Sequence, residues 1–140
     1  MTDVTAETAE LMDLDIFEVK EAEILPTGTY TVTIKNAIWK EEKGYMLLFL
    51  TPEVEGKNPG DIEDVAEMLS FPNSNDPNRT VRFKQQRLQA WVLGTGLPVR
   101  NTSELSDPEV WKGLGASVEL VTESSEEYGT QNKVQSVHAQ

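Results

Sequence analysis

The 140-residue chain carries 24 acidic against 12 basic side chains, a formal net charge of −12, with 38% hydrophobic residues and no cysteine. This size and hydrophobic content fit one compact domain with a modest core and some unpacked tail, while the missing cysteine excludes disulfides, thiolate metal sites and cysteine nucleophiles. The single histidine, His138, argues against histidine-based metal centres and triads, and the absence of a long apolar run or a signal-like N-terminus leads to the expectation of a cytoplasmic protein.

The charge is unevenly placed. Residues 1–25 hold eight acids (Asp3, Glu7, Glu10, Asp13, Asp15, Glu18, Glu21, Glu23) against Lys20, a balance of −7, so the rest of the chain carries only −5. Residues 1–24 contain neither Pro nor Gly before a short apolar island at 11–19 without helical or alternating period, and read as an acidic, mobile arm ahead of a folded domain at 25–140. Within the arm, Asp13, Asp15, Ile16 and Phe17 form an acidic-hydrophobic peptide. Two roles stay open for it: docking on a partner protein, or mimicking nucleic acid and competing for the domain's own cations, in which case deleting residues 1–23 frees those cations and tightens any nucleic-acid binding, most at low salt.

Leu25-Pro26-Thr27-Gly28 marks the start of the domain, and alternation of Tyr30, Val32, Ile34 and Ile38 with Thr29, Thr31, Thr33, Lys35 and Trp39 predicts a first strand with the even positions inward. A polar turn at Lys40–Gly44 leads into a second strand from Tyr45 that is apolar on both faces, with Met46, Leu48 and Leu50 for the core and Tyr45, Leu47 and Phe49 left outside. Trp39 and Tyr45 then flank the turn, with Lys35, Lys40 and Lys43 close by; rings interleaved with cations suit a single strand of nucleic acid, whose bases stack and whose phosphates seek ammonium groups.

Residues 61–71 give mixed signals, with Ile62, Val65, Met68 and Leu69 at helical spacing but Ala66 to Phe71, ending at Pro72, equally readable as a strand, and a third strand is the favoured reading. Their acids Asp61, Glu63, Asp64 and Glu67 lack the ligand order of a calcium loop and read as surface charge, and no metal or cofactor is expected. Asp76 as N-cap, Pro77 at the first position and Gly94 as terminator frame a helix with Val81, Leu88, Trp91 and Val92 buried. Its Arg79, Arg82, Lys84 and Arg87 form a basic run that is a second candidate for phosphate contacts. Asp107-Pro108 opens one helical turn, Ala116, Val118 and Leu120 mark the inner face of a fourth strand, and residues 131–137 form the fifth.

Three strands, a helix and two further strands follow the order of an OB-fold, a mainly β five-stranded barrel with a helix between strands 3 and 4. Pro26-Thr-Gly28-x-Tyr30, Lys43-Gly44-Tyr45, Leu93-Gly94, Trp111-Lys-Gly113 and Tyr128-Gly-Thr-Gln-Asn132, in that order, resemble small phage-encoded OB-fold proteins. The resemblance spans about residues 25–138 and implies a non-enzymatic protein of phage replication and recombination, acting in the host cytoplasm. Single-stranded DNA is then the expected ligand, bound non-specifically with Trp39, Tyr45 and Phe49 stacking on bases and the seven cations of the two candidate sets, Lys35, Lys40, Lys43, Arg79, Arg82, Lys84 and Arg87, along the backbone, and phage or host replication or recombination proteins are the expected partners of the acidic arm. Association of copies is left open. The alternative of a different class is a phage head, tail or adaptor protein whose Leu47 and Phe49 pack on other subunits.

Overall fold

The computed structural model describes Asp13, residues 15–17 and residues 22–140. Asp13, Asp15, Ile16 and Phe17 are thus described, while the rest of the arm before residue 22, with most of its acids, lies outside the described residues. Strands β1 (Gly28–Lys40), β2 (Tyr45–Pro52) and β3 (Val65–Ser70) precede helix α1 (Asn78–Thr95), the short helix α2 (Thr102–Leu105), and strands β4 (Gly115–Ser125) and β5 (Gly129–His138). All five strands form one antiparallel sheet in the order β3-β2-β1-β4-β5.

Long β1 serves two partners. Its first half, Gly28 to Thr33, pairs with β4, and from Val32 onward it pairs with β2. Between Ile34 and Asn36 the register with β2 shifts by one residue. Such a bulge turns the following side chains over: Val32 and Ile34 are buried, but beyond the shift Ala37 is the buried residue and Ile38 is exposed. The expectation of Ile38 inward and Trp39 outward is therefore reversed, since strict period-2 alternation cannot count an inserted residue.

Elsewhere alternation holds. Met46, Leu48 and Leu50 of β2, Val65 and Leu69 of β3, and Ala116, Val118 and Leu120 of β4 are all buried. Leu88 and Trp91 of α1 and Trp111 join this core, and the Trp111 indole donates to the Leu105 carbonyl at 2.7 Å, so that its one polar atom is satisfied. Each fully buried Leu, Ile or Val contributes about 1.5–3 kcal/mol.

α1 starts one residue later and ends two residues later than its punctuation suggested. Pro77 holds the N-cap position, while the Asp76 carboxylate accepts from the Asn73 amide at 2.9 Å instead of capping. At the C-terminus the residue with left-handed backbone is Gly96 (φ 75°), whose amide donates to the Val92 carbonyl. Gly94 serves a different purpose: a Cβ there would lie 2.4 Å from Val137 Cγ1 and 3.0 Å from the His138 carbonyl. Alanine raises helix propensity by about 1 kcal/mol, yet the overlap forces α1 off β5 at about 1–3 kcal/mol. Gly94→Ala is expected to lower the urea midpoint; an unchanged or higher midpoint means α1 and β5 separate freely.

The two ends of the sheet, β3 and β5, are joined by side chains and by the lead-in segment. Arg87 of α1 donates from Nε to Glu67 Oε2 at 3.0 Å and from its two terminal nitrogens to the Gln135 and Val134 carbonyls at 3.1 and 3.0 Å. Glu67 on β3 is buried and also accepts from the Trp91 indole at 2.8 Å. Further along the seam, Glu23 bonds to the backbone on both sides of Ile62, while the Asn132 amide pairs with the amide and carbonyl of buried Leu25 at 2.9 and 2.8 Å. Backbone pairing to the domain thus reaches back at least to Glu23, two residues before the sequence boundary.

Candidate nucleic-acid interface

Register determines what the outer face of β1–β3 displays. Ile38 lies opposite Leu47, which lies opposite Met68; the neighbouring rows are Lys40, Tyr45 and Ser70 on the turn side, and Asn36, Phe49 and Ala66 on the other. Tyr45, Leu47 and Phe49 are half-buried, whereas Met68 is 59% exposed. The patch continues onto α1, where Phe83 is 71% exposed and shares a hollow with Met68, Arg87 and Gln135. Tyr45 and Phe49 are thus brought together as the sequence suggested. Ile38 and Met68 were missed, although the alternation of Ala66 and Met68 with Val65, Glu67 and Leu69 was a usable signal.

Trp39 does not belong to this face. It pairs with Met46, an inward residue, and packs against the core with its ring centroid 4.8 Å from that of Phe71, the planes inclined at 59°. Trp39 and Tyr45 do flank the turn, but the bulge directs the two rings to opposite sides of the sheet, so they do not form one stacking surface with Phe49.

The candidate cations separate into two groups. Lys35 bonds to Asp64 at 2.9 Å, Lys84 to Asp76 at 2.9 Å, and Arg87 is occupied in the seam. Among the described residues Lys40, Lys43, Arg79 and Arg82 form no ion pair. The neighbouring groove of about 1330 Å³ is floored by Thr31, Thr33, Phe49 and Thr51, and its rim is acidic, with Glu53, Glu55 and Glu63 beside Asp64. Its two lysines, Lys35 and Lys57, are both paired, and the hydrogen bond from Lys57 to Glu23 holds that ammonium above its usual range. On this face the cations without an ion pair among the described residues therefore stand at the turn end, Lys40 and Lys43, and the carboxylates along the groove.

The acids at 61–67 diverge, with Asp64 turned to Lys35 and Glu67 to Arg87, and no group of three or more metal-ligating side chains converges among the described residues. No described helix is long and apolar enough to cross a membrane.

Asp76 supplies a pH-sensitive contact beside the basic run. Its hydrogen bond from Lys84, reinforced by the Asn73 amide, holds the carboxyl below its ordinary value of 3.8. A carboxyl lowered in the folded state stabilises fully above that ordinary value and ceases to do so as the pH falls through the folded one. Asp76→Asn is expected to be less stable than the parent in urea at about pH 7, with the difference shrinking towards about pH 3; a constant difference means the carboxylate charge is not involved.

No protein family and no curated protein matches the chain.

Proposed function

We propose that the chain is an OB-fold protein that binds single-stranded DNA without sequence preference, in phage replication or recombination. The order β3-β2-β1-β4-β5 is that of a five-stranded OB barrel cut between β3 and β5, and the Arg87 and Leu25 contacts occupy that cut. An OB-fold uses the face of strands 2–3 and the β1–β2 turn for oligonucleotides. The observation that carries the reading is the presence there of Tyr45 and Phe49, four residues apart on one face with Leu47 between them, beside Lys40 and Lys43, which form no ion pair among the described residues. Bases stack on the rings while the phosphates pass the lysines.

Stacking supplies most of the affinity, because Glu41 and Glu42 leave the turn without net charge. If only Lys40 and Lys43 meet phosphates, log K falls against log salt with a slope of about −1.4, at about −0.7 per contact for a single strand. Anisotropy of labelled oligo-dT and of duplex DNA, titrated at several salt concentrations, measures both quantities. Tighter binding of oligo-dT with that shallow slope is expected; equal affinity for duplex, or none for either, sinks the proposal.

A second reading has its own support. Ile38, Met68 and Phe83, exposed by 38%, 59% and 71%, make the same region an apolar surface on which another subunit of a phage head, tail or adaptor assembly could pack. An apolar interface of that kind holds in high salt and is indifferent to oligo-dT.

A further inference from the structure

On the side of α1 turned away from Met68 lies a groove of about 630 Å³, closed by the chain from Val99 to Leu105. That volume is within the range of about 300–1000 Å³ typical of pockets that enclose a small ligand. Val81, Leu88, Val92 and Leu93 form its apolar wall, and Leu93 is 53% exposed. Arg82 and Arg100 stand at the rim, both exposed and without an ion-pair partner among the described residues. No Asp or Glu lines it. In a chain with twice as many acids as bases, an apolar groove carrying two arginines and no carboxylate selects an acidic peptide with bulky apolar side chains.

The chain contains such a peptide. Asp13 and Asp15 precede Ile16 and Phe17, and the Asp15 carboxylate accepts from the Phe17 amide at 3.0 Å, a turn that presents the two apolar side chains together. Ile16 and Phe17 are 79% and 90% exposed, so neither occupies the groove of its own chain. We propose that residues 13–17 of one copy seat in the groove between α1 and residues 99–105 of a second copy, with Asp13 and Asp15 against Arg82 and Arg100 and with Ile16 and Phe17 on the valines and leucines.

Peptide and groove are different surfaces, so the contact is heterologous: each copy offers one peptide and one groove, and copies add head to tail. The contact itself does not depend on DNA. Its consequence does rest on the function proposed above, since copies linked in this way and lying along one strand bind it cooperatively. Arg82 then belongs to the protein contact, not to the phosphate path.

Sedimentation velocity of the full chain without DNA tests the contact. The parent is expected to show a weight-average mass that rises with concentration and falls with added salt. Ile16→Ser/Phe17→Ser, which lacks the plug, and Arg82→Glu/Arg100→Glu, which lacks the basic rim, are each expected to remain monomeric. Mixed together they should form a one-to-one dimer and nothing larger, because only one intact peptide and one intact groove remain to meet. All four positions are exposed, and matching circular dichroism and melting temperature will show that both variants are folded. A parent that stays monomeric up to about 1 mM, the weak end of specific association, overturns the proposal. So does a mixture that stays monomeric, or either variant assembling like the parent. Loss of oligo-dT binding with assembly intact refutes the DNA reading and leaves this contact standing.

Discussion

Arg87→Met is expected to lower the unfolding free energy by about 2–4 kcal/mol, somewhat less than the cost of removing one partner from a fully buried ion pair, because the Arg87 side chain is 27% exposed while that of Glu67 is 9% exposed. The guanidinium spans the seam, giving Glu67 its counter-charge and the Val134 and Gln135 carbonyls their donors. Without it the Glu67 carboxylate, on a side chain only 9% exposed, keeps the Trp91 indole but has no positive charge beside it. A domain of this size has about 5–15 kcal/mol in total, so the variant will unfold at much lower urea. Arg87→Lys will recover little, because one ammonium cannot reproduce the fork that reaches a carboxylate and two carbonyls at once. Adding Glu67→Gln to Arg87→Met should restore much of the loss, since the orphaned charge is then gone. Full stability of Arg87→Met alone would mean that the seam is held by packing alone, and the guanidinium would again be a candidate for phosphate.

Tyr45→Leu and Phe49→Leu are each expected to weaken oligo-dT binding by about 1–3 kcal/mol, the value of one base stacked on one ring, or about 5- to 150-fold in Kd. Leucine is the informative replacement. It keeps the half-buried apolar surface against Leu47 and Phe49's neighbours Asn36 and Ala66 while removing the flat face that a base requires. Under the adaptor reading the same changes leave partner binding nearly intact, because an apolar interface depends on area and not on ring shape. Trp39→Phe is the control: facing Phe71 on the opposite side of the sheet, it should change the melting temperature and leave oligo-dT affinity unaltered. Loss of affinity at Trp39 with none at Tyr45 and Phe49 would put the DNA at the turn-side hollow that Trp39 shares with Lys43, Phe71 and Lys84.

The sequence by itself determined the number, order and type of the main elements, because those follow from local rules. Alternation needs only the residues of one strand, and Pro or Gly shapes the backbone where it stands; hence the buried Ala116, Val118 and Leu120, the Asp107-Pro108 turn and the Gly44 turn were all legible. Tertiary structure alone decided the faces and the partners. The shift at Lys35 arises from how β1 meets β2, so whether Trp39 or Ile38 faced outward could not be read from β1 alone. Gly94 has the signature of a helix stop and is instead a contact with β5, more than forty residues further on. The basic run at 79–87 looked like one charged helix face, yet Arg87 finds Glu67 and the β5 carbonyls, Lys84 finds Asp76, and Arg79 and Arg82 remain unpaired among the described residues. A charge carries no mark of its partner, and Glu67 and the β5 carbonyls meet Arg87 only once β3, β5 and α1 have packed together.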